Sequence, residues 1–468
     1  MSADGSAGTR QVGDDAAQPS DQARPEPVVE QLRAPREGTP APLRTAAELA
    51  AAAARLAGGT GPVAIDAERA SGYRYSQRAY LVQLRRAGAG TVLIDPIELP
   101  DLSSIDAALA DAEWILHAAT QDLPCLAELG MSPRRLFDTE LVGRLLGSER
   151  VALGTMLEQY LGISLEKGHS AADWSTRPLP HDWLVYAALD VELLIELRDV
   201  LLVELRQAGK LAWAEQECEA ILHAPPAPPR ADPWRRTSGI HGLRNRRQLA
   251  LVRSLWQARD RLAAERDVAP GRTLPDAAII AAVRSNPQQE TDLSALDVFH
   301  GPRQRRLAGY WFGALAEGRA VAEDDLPLLS QGAGDPDAMP AQSRWRDKDP
   351  AAAVRLAACK EIVAAVAEQQ QVVSQNLMAG DVIRRLAWRS VDPLTEATVR
   401  DRLAELGARD WQVGLLAAGL TEALATPLPN AEALATPLPN AESPGTEPPG
   451  TQSPDIEASA TAEPTEAG

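Results

Sequence analysis

Asp66 and Glu68 end an apolar run, Pro62 to Glu68 (PVAIDAE), and their spacing of two places both side chains on one face of a strand. Like charges on a half-buried face repel one another and lose hydration, so they need compensation from a divalent cation or from basic side chains. Asp122 follows a second apolar run, Trp114 to Ala118 (WILHA), across the turn Ala119-Thr120-Gln121. Alone it reads as a helix N-cap. Tyr186 and Asp190 lie four apart in His181 to Arg198 (HDWLVYAALDVELLIELR), hence on one helical face, and Asp190 sits among Ala187, Ala188, Leu189, Val191, Leu193 and Leu194. Each has a bland reading of its own: a structural pair, a cap, a core tyrosine beside a chance acid. Jointly, Asp66, Glu68, Asp122 and Asp190 are hard oxygen donors of the kind Mg²⁺ or Mn²⁺ prefers. Two such ions about 4 Å apart can hold an attacking water and a leaving 3′ oxygen at phosphorus, with the tyrosine hydroxyl orienting that water. His117, at a strand end, reads first as a core hydrogen-bonding residue and second as a ligand. Asp95 also ends an apolar run, but Pro96 follows and no second acid joins it, so it reads as a turn-forming strand end.

The elements that must position these groups alternate strand and helix over residues 46–225. Short apolar or β-branched runs at Pro62 to Glu68, Tyr80 to Arg85, Thr91 to Asp95 and Trp114 to Ala118 read as buried strands. Helical patterns follow at Asp122 to Leu129, Thr139 to Leu146 and Leu153 to Leu161, with a long one from His181 to about Ile221. The expectation is an α/β domain. Residues 226–239 hold prolines and read as an extended linker, residues 240–322 as several short helices, and residues 341–425 as a second helical unit. Residues 1–45 and 426–468 are rich in Pro, Ala and charge or Thr, with few large apolar groups, and read as disordered. The ten residues Glu422 to Ala431 (EALATPLPNA) recur at Glu432 to Ala441, a flexible spacer rather than a solenoid repeat.

Asp66-x-Glu68, Asp122 and Tyr186-x-x-x-Asp190, in that order, resemble the DEDDy exonuclease superfamily and within it the ribonuclease D family. Leu165 to Leu179 (LEKGHSAADWSTRPL) is similar to the segment that precedes the Tyr-x-x-x-Asp helix in that family, and the resemblance covers roughly residues 46–320. It implies a ribonuclease H-like exonuclease domain, a mixed sheet flanked by helices. It implies too that Asp66 bridges two ions, that Glu68 and Asp190 hold the ion activating water, that Asp122 holds the other through water, and that Tyr186 positions the nucleophile. His117 occupies a position that is histidine in the family. Lys167, Trp174 and Arg177 become candidates for the substrate side or for packing of the motif. Ala67 and Arg69 depart from the threonine and aromatic residue that often flank the first acids.

Residues 240–322 resemble the HRDC domain through Leu249 to Arg261 (LALVRSLWQARDR), Asp267 to Pro270, Leu274 to Asp276 and Leu293 to Gly301. Arg244, Arg246 and Arg247 are candidates to face phosphates there, against the alternative that they solvate helix faces. Residues 341–425 are read as a second HRDC-like unit on thinner matching text.

The 468 residues carry a formal charge of −18, awkward for a nucleic-acid enzyme until its distribution is considered. Arg230 to Arg319 holds sixteen arginines against nine acids, whereas Thr421 to Gly468 holds eight acids and neither Lys nor Arg. Phosphate affinity follows the local field, so the basic middle matters more than the total. Cys125, Cys218 and Cys359 lie far apart without Cys-x-x-Cys spacing, which argues against a disulfide framework or a thiolate zinc site. Residues 1–45 lack the apolar core of an export signal and no run reaches bilayer length, so a cytoplasmic protein is expected, with neither membrane nor nucleotide cofactor as partner. The expected activity is 3′-5′ exonucleolytic hydrolysis of RNA bearing a free 3′ end, such as precursor tRNA, releasing nucleoside 5′-monophosphates with two Mg²⁺ or Mn²⁺ ions. The alternatives are the same chemistry on DNA, or a non-catalytic nucleic-acid-binding scaffold.

Overall fold

Strand β2 (Thr60–Arg69) forms the centre of a five-stranded sheet, and its alternation explains how the site is built. Val63, Ile65 and Ala67 point into a core shared with Leu49 and Leu56 of the Ala46–Ala57 helix. Ala64 points the opposite way, into the core around Val191, Leu194 and Leu197. Asp66 and Glu68 share its parity and so face the helices of that second side. In the computed structural model, which describes residues 29–166, 168–169, 171–225, 228, 230–329 and 339–427, β3 (Ala79–Ala87) and β4 (Gly90–Ile94) continue the sheet antiparallel. β5 (Trp114–Leu116) and β6 (Leu136–Asp138) extend it in parallel on the other edge, giving the order β4-β3-β2-β5-β6. This is the expected mixed sheet flanked by helices.

The long helical pattern from His181 divides into three helices, His181–Glu192, Leu194–Gln207 and Leu211–Leu222. The first break is at Leu193, whose φ of −115° and ψ of 4° leave helical space, and the second is at Gly209, whose φ of 68° favours glycine. Residues 29–45 depart from the expected disorder. β1 (Glu30–Leu32) pairs in parallel with β7 (Ile163–Leu165), and Leu43 bridges to Ile94, so inter-segment hydrogen bonds order a stretch that lacks an apolar pattern of its own. The expected disorder over residues 1–28 and 428–468 lies outside the described residues. Of the repeat, Glu422, Ala423 and Leu424 finish the Asp410–Leu424 helix.

The linker assignment also needs correction. Pro233–Arg236 is a 3₁₀ turn whose Trp234 is buried in the core of the following helical unit, because a large indole there gains more from burial than from extension. That unit is built on the Arg246–Arg266, Asp276–Ser285 and Ala308–Ala320 helices around fully buried Trp311 and Phe299. It docks on the loop after β2. The Ala269 N–H donates to the Tyr73 carbonyl at 2.9 Å, the Ser76 N–H to Asp267 at 2.9 Å, and the Arg272 guanidinium lies 3.9 Å from the centre of the Tyr73 ring.

The C-terminal helices, from Pro350–Gln369 to Asp410–Leu424, share one continuous core with Leu194, Leu197, Leu201 and Leu205. Trp213 stacks on Trp411 at 4.5 Å, and buried Lys210 donates to the carbonyls of Leu145 and Gln370 at 2.8 and 2.7 Å. No helix among the described residues is long and apolar enough to cross a membrane.

Candidate active site

One carboxylate oxygen from each of Asp66, Glu68 and Asp190 lies within 4.8 Å of the others. β2 supplies the first two and the His181–Glu192 helix, packed over that face, supplies the third. Glu68 is only 9% exposed. Burial, then the charges of Asp66, Asp190 and Asp122, push its carboxyl well above the usual range, with Arg69 opposing them. Burial similarly raises Asp66 to about 6, offset in part by the Ala67 N–H. Asp190 is raised by burial and by Asp66, and lowered by a hydrogen bond from the Tyr186 hydroxyl. A clustered, poorly hydrated set of hard oxygens is the donor chemistry that suits Mg²⁺ or Mn²⁺, because a cation there relieves both the desolvation and the repulsion.

Asp122 stands beside this set. It precedes the Leu123–Glu128 helix, but its side chain makes no capping hydrogen bond, so the capping reading does not hold. Instead the carboxylate meets Arg69 at 3.5 Å. Burial and Asp66 raise it to about 8 despite that arginine. The turn that delivers it is clasped by Asp138, a residue sequence reasoning missed, which accepts from the N–H groups of Ala118 and Ala119 at 3.1 and 2.8 Å. Ala118 is in the left-handed region at φ 62°, so the turn relies on that support. Also missed was Gln83, fully buried opposite Asp66 in the β2–β3 register, whose amide donates to Asp66 Oδ2 at 2.7 Å. A glutamine within the apolar run YLVQLR was the available signal.

Tyr186 joins the set through Asp190. Burial, then the charges of Asp190, Glu68 and Asp66, raise its phenol, which therefore stays protonated as a donor. Trp174 is fully buried, with its ring 6.3 Å from Tyr186 and 5.4 Å from Trp183, so it packs behind the tyrosine instead of meeting substrate. Arg177 is likewise occupied. Its Nε and Nη2 grip both oxygens of buried Asp95 at 2.8 and 2.7 Å, while its other N–H groups reach the carbonyls of Trp174, Thr176 and Tyr80. All five guanidinium donors are committed, which corrects the substrate-side reading of Arg177 and makes Asp95 more than a turn former. His117 pairs through Nδ1 with Thr139 at 2.9 Å. Burial lowers its pKa, and Asp138, Glu140 and Arg144 are the charges that act on it, so it follows the core reading. Lys167 lies outside the described residues.

Two of the three HRDC arginines are also engaged within the fold. Arg246 donates to the Leu326 and Pro327 carbonyls, and Arg247 to those of Arg319 and Val321 and to Glu323. Arg244 is exposed and lines a cavity of about 490 Å³ with His241 and Arg235. A second cavity, of about 460 Å³, opens beside Tyr186 between Arg33, His169 and His181.

Three family models match the chain: "3'-5' exonuclease" over residues 40–206, "HRDC domain" over 248–315, and "3' to 5' exonuclease C-terminal domain" over 338–424. Ribonuclease D of Granulibacter bethesdensis is 30% identical over 333 residues, covering 69% of this chain and 80% of that one. Ribonuclease D of Escherichia coli K12 is 31% identical over 271 residues, covering 57% and 71%. Among solved structures, a protein from Bifidobacterium adolescentis superposes with a TM-score of 0.78 at 36% identity, over 84% of this chain and 99% of that one. Escherichia coli RNase D, described as an exoribonuclease involved in structured RNA processing, superposes with a TM-score of 0.60 at 26% identity, over 82% and 98%. With an acidic cluster on the exonuclease sheet and an HRDC unit behind it, the chain belongs to the ribonuclease D family of metal-dependent 3′-5′ exonucleases.

Proposed function

We propose that the chain shortens RNA from a free 3′ end, one nucleotide at a time, releasing nucleoside 5′-monophosphates, at a site made of Asp66, Glu68, Asp122, Tyr186 and Asp190. The observation that carries this reading is the convergence of Asp66, Glu68 and Asp190 within 4.8 Å on a poorly hydrated face, where the charge of Arg69 offsets theirs only in part. Two divalent ions, Mg²⁺ or Mn²⁺, supply water activation and stabilise the leaving 3′ oxygen when bound. Asp66 lies between the others electrostatically, acting on Glu68, Asp122 and Asp190 alike, which suits a ligand shared by both ions. Glu68 and Asp190 would hold the ion on the water side and Asp122, steered by Arg69, the other. Tyr186, kept protonated, orients the attacking water with its hydroxyl.

Precursor tRNA with a 3′ extension is the proposed substrate, supported by the description of the Escherichia coli relative as a processor of structured RNA. Three buried, unpaired cysteines suit a reducing compartment, and we assign the cytoplasm. The test is parallel digestion of a 3′-extended precursor tRNA, the same RNA with a 3′ phosphate, a circular RNA, and single-stranded DNA, each with Mg²⁺ or Mn²⁺. Stepwise shortening of the first alone is expected. Cleavage of the circle, preference for DNA, or an inert chain would each refute the reading.

A further inference from the structure

The segment ahead of the family-matched region reaches the cavity beside Tyr186. Residues 29–39 precede the 40–206 stretch matched by the exonuclease family, yet they are fastened to the elements around Tyr186 and Asp190. β1 pairs with β7 through Glu30↔Ile163, Gln31↔Ser164 and Leu32↔Leu165. The Arg36 N–H donates to Glu192 at 3.2 Å and its guanidinium meets Glu196 at 3.4 Å. Glu192 is fully buried two residues beyond Asp190 and also faces Arg85 at 3.5 Å. A buried carboxylate that accepts from the backbone of a distant segment ties that segment rigidly to the helix bearing Asp190.

Between these two fastenings lie Arg33 and Ala34, which line the cavity of about 460 Å³ with Glu166, His169, Asp182 and Tyr186. Arg33 is exposed, and its Nε and Nη2 donate to the Gln31 side-chain oxygen at 3.1 and 2.8 Å. Among the described residues no carboxylate lies within ion-pair distance of it. Among the described residues its charge thus has no ion-pair partner, and three of its five N–H groups have no acceptor. The carboxylates of Glu166 and Asp182 in the same wall would repel a polyanion, so a strand entering here needs a cation.

We propose that Arg33 grips a backbone phosphate adjoining the scissile bond, making the segment at Arg33 and Ala34 a substrate-binding wall of the active site. The proposal rests on the exonuclease reading above. A guanidinium can meet a phosphate through two N–H groups, which fixes the strand's orientation as well as adding affinity.

The test compares the full chain with its Arg33→Gln and Arg33→Lys variants on a single-stranded oligoribonucleotide with a 3′ hydroxyl. The substrate carries one neutral methylphosphonate linkage at each of the last four positions in turn. Arg33→Gln is expected to raise KM about fivefold to tenfold while kcat stays within about twofold, and Arg33→Lys, which keeps the charge but not the two-pronged contact, to recover only part of the loss. At one linkage position the unmodified chain should show a similar rise in KM, with no further rise in Arg33→Gln. An unchanged KM in Arg33→Gln, or a loss that adds to every methylphosphonate, overturns the proposal. An unmodified chain that does not hydrolyse the oligonucleotide would remove the exonuclease reading first, so the two failures are distinguishable.

Discussion

Gln83 and Asp66 stand opposite one another in the antiparallel β2–β3 register, and the Gln83 amide donates to Asp66 Oδ2 at 2.7 Å. The other end of that amide, Oε1, is buried without a partner among the described residues. Holding an acceptor dry and unpaired costs about 1–3 kcal/mol, so the glutamine is there for the aspartate it orients and not for stability.

Gln83→Leu should therefore separate folding from activity. The melting temperature is expected to change little, because the unpaired oxygen leaves with the amide while Asp66 Oδ2 loses its donor. Activity at limiting metal should fall about tenfold to a hundredfold, the range for losing a residue that orients a metal ligand. Thermal melts and a Mn²⁺ titration of the initial rate check both halves.

Asp66→Asn should abolish hydrolysis and stabilise the metal-free protein. It removes one charge from a cluster whose members raise each other's pKa. Denaturant titration in chelator, alongside a nuclease assay, would contradict this if the variant were less stable than the parent.

The pH dependence follows from the same raised carboxylates. Asp66 at about 6 and Asp122 at about 8 hold protons in the folded state that an unfolded carboxylate near 4 has already released. The folded state then binds more protons, so metal-free stability falls as pH rises from about 4 through about 8. Saturating Mn²⁺ should flatten that slope, and the metal needed for half-maximal rate should drop over the same interval, because binding expels protons. Unfolding curves at pH 5.5, 7.0 and 8.5, with chelator or with metal, measure this.

Tyr186→Phe removes the hydroxyl and leaves the ring packed against Trp174. kcat is expected to fall about tenfold to a hundredfold from lost orientation of the water, with metal affinity little changed. A loss equal to that of Asp66→Asn would contradict a water-positioning role.

Arg177→Ala should act on stability. It leaves Asp95, 1% exposed, without the two N–H groups that neutralise it. Breaking a buried pair from one side costs about 3–5 kcal/mol, lessened here because the Arg177 side chain is 25% exposed and Arg44 stays 3.8 Å from Asp95. Below the lowered melting temperature, KM for RNA should be near that of the parent; a large KM change at full folding would restore the substrate role to Arg177.

Asp66-x-Glu68 and Tyr186-x-x-x-Asp190 were legible from the chain because strand and helix periods are properties of the local backbone. An interval of two or four names a shared face wherever the segment ends up. The apolar runs of the sheet were legible for the same reason, three-residue β5 among them through the longer run WILHA, whereas β1, β6 and β7, equally short, were not read as strands. Contacts between distant segments were not legible. Gln83 against Asp66, Asp138 clasping the turn before Asp122, and Arg177 closing on Asp95 each join residues 17 to 82 positions apart. No periodicity connects such pairs.

Folding also reassigned residues whose type alone suggested substrate. Arg177, Arg246 and Arg247 look like phosphate ligands in composition, yet carbonyl and carboxylate acceptors surround them once the chain has folded. Arg33, in a stretch that composition marks as disordered, is carried to the cavity beside Tyr186 by pairing with β7 and by Glu192. Side-chain chemistry is written residue by residue, so the kind of reaction could be read along the chain. Whether a charge is left free for a substrate depends on which acceptors surround it, and packing alone sets that.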